Sequence, residues 1–313
     1  MARIVFIQPS IPKGAKIVRE CCPPLGIMYL SAYIRKFSSE DEISIIDMMV
    51  NNLDVEDIRG EIKKLQPDFL GISAMSFHDV NLHRVARLVK EECPSCHISV
   101  GGPHTLVAPE RILKNENIDS LVIGEGEETV KELIEGVKNG RNLKDIPGLA
   151  LRDSGGRVIF TLPRPYIEDI DSIPYPAWDL VDLTRYFHPN TLNPNIIHYW
   201  KECTTIFTSR ACPYECIFCH KVFGKHFRCR SPENVYGEIV TLHKNYGIRE
   251  FHIWDDCFNF DIHRAERIFE LIASSGMDIK LAFPNGLRAD RITQNMIEKM
   301  VAAGTYKINL GIE

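Results

Sequence analysis

The stretch S-R-A-C-P-Y-E-C-I-F-C-H, residues 209–220, sets cysteines at 212, 216 and 219 in a C-x3-C-x2-C spacing. It leaves an apolar, β-branched run, T-T-I-F-T-S-R (204–210), whose residues 204–209 read as a strand. A helical pattern follows at 232–245, with Ser231 placed to cap it and Pro232 at its first position. The three thiols therefore sit in a loop at the carboxyl end of a strand that opens a strand–helix series. In parallel α/β folds that is where chemistry is done.

Working outward, the series continues with strands at 250–255, 279–283 and 306–312 and helices at 262–275 and 292–303. Gly276 and Gly304 fall where helix-terminating glycines belong. This is the pattern of part of a barrel of parallel strands with outer helices.

Three thiolates are one ligand short for a zinc ion or an iron–sulfur cube. A [4Fe–4S] cluster normally takes four cysteines, so three leave one iron open to a small molecule. Other readings stand beside this one. Zinc on Cys216 and Cys219 would need two more ligands, such as His220 or Cys229. A fourth cysteine (203, 229 or 257) would close the cluster for plain electron transfer, and the thiols would otherwise simply be buried and free. Cys93 and Cys96 share C-x2-C spacing but stand at a helix end without a partner pair, and read as structural.

The first 150 residues alternate strands (3–9, 42–47, 68–74, 97–102, 120–126) with amphipathic helices (24–37, 55–65, 81–92, 127–140). This predicts a doubly wound parallel sheet with helices on both faces. Ligands of such sheets lie beyond the strands' carboxyl ends. The loops there carry Ser73, Met75 and Ser76, then Gly101 and Gly102, then Gly124 and Gly126. Small residues let a bulky ligand approach the backbone, although glycines also serve tight βα turns. No G-x-G-x-x-G follows the first strand, which disfavours a dinucleotide site. Residues 147–162 predict a hairpin turning at Asp153–Gly156. Residues 163–202, rich in proline and aromatics, predict a segment that wraps on the protein, with Tyr166, Tyr175 and Trp178 as anchors. The expected organisation is 1–150, 151–202 and 203–313.

The chain has 313 residues, 44% hydrophobic and 25% charged, with a net charge of −5. That is a globular composition with no field favouring nucleic acid or anionic membranes. No apolar run approaches the ~18 residues needed to span a bilayer. The start, M-A-R-I-V-F-I-Q-P-S, reads as a strand rather than a signal segment, which predicts a cytoplasmic location. With ten cysteines in such a chain, reduced thiols or metal ligands are expected rather than disulfides.

The run C-P-Y-E-C-I-F-C resembles the cluster loop of the radical S-adenosylmethionine enzymes, C-x3-C-x-aromatic-C, with Phe218 in the aromatic position. R-S-P-E-N-V-Y-G-E-I (230–239), H-I-W-D-D-C-F-N-F-D (252–261), N-G-L-R-A-D (285–290) and N-L-G-I-E (309–313) resemble later segments of the same partial (β/α)6 barrel. The preceding region resembles the cobalamin-binding, Rossmann-like domain of one large subgroup. The D-x-H-x-x-G box, whose histidine ligates cobalt in methionine-synthase-type domains, is absent. His78, His83 and His104 are accordingly read as solvated or capping residues.

The resemblance implies that Cys212, Cys216 and Cys219 hold a [4Fe–4S] cluster whose fourth iron binds S-adenosylmethionine. One electron would cleave the sulfonium and give a 5′-deoxyadenosyl radical. Phe218 would pack near the adenine, Asp255 and Asp256 would meet the methionine amine, and Arg288 and Glu313 would contact the same cofactor. Ser73, Ser76, Gly101, Gly102, Gly124 and Gly126 would line cobalamin. Methyl transfer to an unactivated carbon of a small-molecule substrate is implied, or oxidative ring closure of the magnesium-protoporphyrin monomethyl ester cyclase type. The electron donor would be a flavodoxin or ferredoxin. The rival of another class is a non-catalytic cobalamin- or zinc-binding regulator. Four barrel strands are legible where the family has six, so a C-terminally truncated chain is expected.

Overall fold

The computed structural model describes residues 1–12, 14, 22–187, 198–219 and 223–311. The chain divides into two compact units. One comprises Met1–Val18, Pro24–Tyr166 and Pro174–Val181; the other comprises Arg19–Pro23, Ile167–Ile173 and Asp182–Glu313.

In the first unit the elements run β1 (Arg3–Gln8), α1 (Leu25–Phe37), β2 (Glu42–Asp47), α2 (Arg59–Leu65), β3 (Phe69–Ser73), α3 (Asp79–Glu92) and β4 (His97–Gly101). There follow α4 (His104–Val107), α5 (Pro109–Leu113), β5 (Ser120–Val122), α6 (Glu127–Lys138), β6 (Leu149–Arg152) and β7 (Val158–Phe160). The sheet order is β2-β1-β3-β4-β5-β6-β7. The first five strands are parallel, as their continuous apolar runs predict, and β6 and β7 are antiparallel. The expected hairpin at 147–162 thus forms and extends the sheet.

Alternate residues of β1 serve opposite faces. Val5 and Ile7 join the core beneath α2, α3 and α5, which includes Ile62, Leu82 and Ile112. Ile4 and Phe6 join the other core with Ile27 and Ile34 of α1 and Leu133 of α6. Two buried faces explain why the strands carry no polar alternation. Gly71 makes room for this packing: a Cβ there would stand 2.5 Å from the Phe6 ring. Trp178, in the wrapping segment, is buried, and the Ala177 N–H donates to the Met28 carbonyl at 3.1 Å.

The second unit contains β8 (Cys203–Ile206), β9 (Ser209–Arg210), β10 (Arg228–Cys229), α7 (Pro232–Tyr246), β11 (Glu250–Ile253), α8 (Ile262–Ser274), β12 (Lys280–Leu287), α9 (Gln294–Ala302) and β13 (Thr305–Leu310). Strands β8, β11, β12 and β13 form a parallel sheet in sequential order. Ser231 Oγ accepts from the Asn234 N–H at 3.1 Å with Pro232 at the first turn, and Gly247 ends α7 in the left-handed conformation. Phe258, Phe269 and Phe283 pack together under the helices. Gly304, at φ +82°, closes α9; a Cβ there would lie 2.4 Å from the Ile279 carbonyl.

Two expectations differ from the structure. The strand expected at 204–209 is not one strand but parts of two, β8 and β9, broken at Phe207 and Thr208. The turns of α4 and α5 stand between β4 and β5, where no helix was read. No helix among the described residues is long and apolar enough to cross a membrane.

Candidate functional site

The break between β8 and β9 aims the cysteine loop. Asp255, at the end of β11, is buried and accepts from the Thr208 N–H at 2.6 Å, the Thr208 hydroxyl and the Ser209 hydroxyl. Arg230 Nη1 donates to the Phe207 carbonyl at 2.9 Å and pairs with buried Glu238. Arg264 Nη2 donates to the Thr208 carbonyl at 2.6 Å, and its Nε donates to the Arg230 carbonyl at 2.7 Å. The backbone groups freed by the break are thus met by side chains. Ala211, buried at φ +69°, then turns the chain into the loop. Alanine in that region costs on the order of 1 kcal/mol. The antiparallel pairing of β9 with β10 closes the loop's base.

Within the loop, Cys212 and Cys216 are half-buried and Cys219 is exposed, and none of the described cysteines is in a disulfide. The Cys219 N–H donates to the Cys216 carbonyl at 3.1 Å, making the turn between the last two thiols. Tyr214 anchors the loop. The Arg288 guanidinium lies 3.9 Å from its ring centre, and Arg291 Nε donates to its hydroxyl at 2.9 Å. Phe218 is 71% exposed, so it fills no core in this state.

Of the three other cysteines considered as a fourth ligand, Cys203 stands at the amino end of β8 and Cys229 on β10. Cys257, nearly fully buried, neighbours Cys212. Burial first, then the Cys212 thiol, pushes Cys257 up to about 12, while Arg288 and Arg291 pull it back. Three thiols on one loop beside two arginines form a donor set suited to an anionic iron–sulfur cube.

The other sequence-derived residues fall as follows. Asp255 has both oxygens engaged by Thr208 and Ser209, so its carboxylate serves the strand break. Asp256 is half-buried, and α8 is capped by Asp261 instead. Arg288 also pairs with Asp290 at 2.9 Å. Glu313 and His220 lie outside the described residues. Arg230 and Arg264 were missed. Arg264 carried a signal, since it shares a helical stripe with Ile268 and Ile272 and so points a cation at the core.

In the first unit, Ser73, Ser76, Gly101, Gly102, Gly124 and Gly126 all fall at the carboxyl ends of β3, β4 and β5, or in the loops that follow. Ser73 and Gly101 are register partners. Gly102, at φ +92°, lies so close to the β3 loop that a Cβ would stand 2.9 Å from the Ala74 carbonyl; Gly124 faces open space. Met75 and Phe77, after β3, and Leu106 and Val107, on α4 after β4, are exposed. Small residues beside exposed apolar side chains suit a broad, flat, largely apolar ligand such as a corrin.

Beneath them lies a polar network. His104, buried rather than solvated, is 2.8 Å from Asp79 through Nε2 and 3.2 Å from Ser76 Oγ through Nδ1. Arg111 pairs with the other Asp79 oxygen at 2.6 Å, and His83 is 3.6 Å from Asp79. His78, fully buried, accepts from the Met75 N–H at 3.2 Å, the capping role read from the sequence. All three histidines are therefore committed to the chain itself.

The comparisons agree with this geometry. Residues 15–134 match the B12 binding domain family. An uncharacterized methyltransferase of Pyrococcus horikoshii is 33% identical over 315 residues, covering 99% of this chain and 65% of that protein. The anaerobic magnesium-protoporphyrin IX monomethyl ester cyclase of Rubrivivax gelatinosus is 30% identical over 259 residues, covering 81% of this chain and 45% of that protein. The cobalamin-dependent S-adenosylmethionine radical enzyme OxsB, solved with aqua-cobalamin and S-adenosylmethionine bound, superposes with a TM-score of 0.82 at 21% identity. That match covers 100% of this chain and 44% of OxsB. The chain thus spans about two thirds or less of these proteins. The cysteine loop, the cobalamin-type sheet and these likenesses agree: residues 15–134 carry a B12 binding domain, and the chain as a whole is similar to the B12-binding radical S-adenosylmethionine enzymes.

Proposed function

We propose that the protein reductively cleaves S-adenosylmethionine on a [4Fe–4S] cluster and uses cobalamin to methylate an unactivated carbon of a small molecule. The observation that carries this reading is the C-x3-C-x2-C loop, braced by Asp255, Arg230 and Arg264 at the carboxyl end of β8. Cys212, Cys216 and Cys219 would hold the cluster, which when bound supplies the electron that breaks the sulfonium bond. The chain's own part is placement. Arg288 and Arg291 fix Tyr214 and so the loop, and exposed Phe218 is available to cover an adenine. Asp256 and Arg288 are the proposed polar contacts to the methionine moiety, where a carboxylate suits the ammonium and a guanidinium the carboxylate. The loops after β3, β4 and β5 would receive cobalamin.

Likeness to the cyclase supports a second reading, oxidative ring closure. Anaerobic reconstitution followed by reaction with deuteriomethyl S-adenosylmethionine and a low-potential reductant separates the two. Methyl transfer predicts labelled methyl on the bound cobalamin with S-adenosylhomocysteine released, in addition to 5′-deoxyadenosine. Ring closure predicts 5′-deoxyadenosine alone. Neither nucleoside product would refute both.

A further inference from the structure

The amino end of the second unit's sheet holds a cluster that the proposed chemistry does not use. Glu250 is the first residue of β11 and is fully buried. Its Oε2 accepts from the N–H groups of Tyr199 at 2.7 Å and Trp200 at 2.6 Å. Its Oε1 faces three groups: His252 Nε2 at 2.6 Å, the Tyr306 hydroxyl at 2.8 Å and His198 Nδ1 at 3.4 Å. Glu250 and His252 project from the same face of β11, two residues apart. The His198 ring stacks on that of His252 with centroids 5.0 Å apart.

One feature of this cluster is unbalanced. Both His198 ring nitrogens are buried, yet neither makes a well-aligned hydrogen bond among the described residues. Its 3.4 Å approach to Glu250 is an ion-pair distance only. Among the described residues, His198, Glu250 and His252 are the trio whose ligand atoms gather within 4.8 Å of one another.

We propose that His198, Glu250 and His252 form a site for one divalent transition-metal ion of the zinc class, at the opposite end of the strands from the cysteine loop. The donor set is two imidazoles and one carboxylate, which such ions favour. On bonds of ~2.0–2.1 Å, tetrahedral ligand atoms stand about 3.3 Å apart, so shifts of under about 1 Å close the site. The two backbone N–H groups on Oε2 orient the carboxylate, as outer partners of metal ligands do. The ion replaces the proton now shared by His252 and Glu250, and gives His198 a partner. The fourth position falls to water or to the Tyr306 hydroxyl. The ion would clamp the segment entering β8 onto β11 and set the lower end of the sheet.

The test uses the full chain with Cys212, Cys216 and Cys219 all changed to serine, so that no metal is held by the loop. The metal-free protein is titrated with cobalt(II), then with zinc. The expected result is one equivalent of cobalt with ligand-field bands, no thiolate charge-transfer band, and displacement by zinc. In that background His198→Ala and His198→Gln should each weaken binding at least ~100-fold, beyond the 10–100-fold typical of outer-shell losses, with far-ultraviolet circular dichroism unchanged. Should both variants fail to fold, zinc must still raise the unfolding midpoint of the triple-serine parent by mass action. Absence of stoichiometric binding, a thiolate band, equal binding after loss of His198, or no zinc-dependent shift in midpoint would overturn the proposal.

Discussion

At the carboxyl ends of β3, β4 and β5 the polar groups already have partners. Asp79 is shared by His104, Arg111 and His83, and Gly102 is locked against Ala74. At the carboxyl end of β8 the base is equally well built, but the loop it carries is open: Ile217 and Phe218 stand in solvent and Cys219 is exposed. The first region is a finished floor on which a ligand would rest. The second is a finished hinge whose loop would be completed by what it binds, because metal binding and local folding are then one event. The two regions should therefore respond differently to mutation.

The largest effect is expected in the open loop. Alanine at Cys212, Cys216 or Cys219 should take iron from about four per chain to background, measured by iron and sulfide analysis after anaerobic reconstitution, while the unfolding midpoint of the apo chain moves little. Asp255→Ala strikes the hinge instead. It leaves the Thr208 N–H and two hydroxyls without their buried acceptor, so the apo chain should lose about 3 kcal/mol or more in urea unfolding and should load iron poorly. If cluster loading fell with stability intact, Asp255 would be serving the cofactor rather than the strand.

The floor is expected to be acid-sensitive. Burial first, and then His104, lowers His78 to about 4 from an ordinary 6.5. Its folded pKa lies below the unfolded one, so the native state binds fewer protons. The stability this residue supports is complete above about pH 6.5 and declines as pH falls toward 4, by about 3 kcal/mol in all. Denaturant unfolding across that range should show a flatter pH slope for His78→Gln. Gly102→Ala, forced to a positive φ and against the Ala74 carbonyl, should cost roughly 1–3 kcal/mol and weaken cobalamin binding. The smallest change is Phe218→Ala. The ring is exposed, so stability should stay within about 0.5 kcal/mol, and a weaker response to S-adenosylmethionine would be the whole phenotype.

Most of this fold was legible because its strands are buried on both faces. Runs such as R-I-V-F-I-Q and E-I-S-I-I-D have few readings in a chain with intervening amphipathic helices. The cap at Ser231 and the stops at Gly276 and Gly304 were local signals of the same kind. What escaped was set by distant partners. T-T-I-F-T-S-R looks continuous, and only Arg230, Asp255 and Arg264 together make its break affordable. The same reason hid His198 against Glu250 and His252: that grouping has no shared spacing in the sequence. The resemblance sets Asp255 at a cofactor amine, and the geometry shows bonds to Thr208 and Ser209 within the chain that no motif announces.

57Fe Mössbauer spectroscopy of the reconstituted chain tests directly whether three cysteines hold a cluster with one iron left for S-adenosylmethionine. The account predicts a cluster in which one iron of four changes its parameters when S-adenosylmethionine is added, and which survives in Cys257→Ala. Four irons unmoved by that compound, or a cluster lost with Cys257, would contradict it.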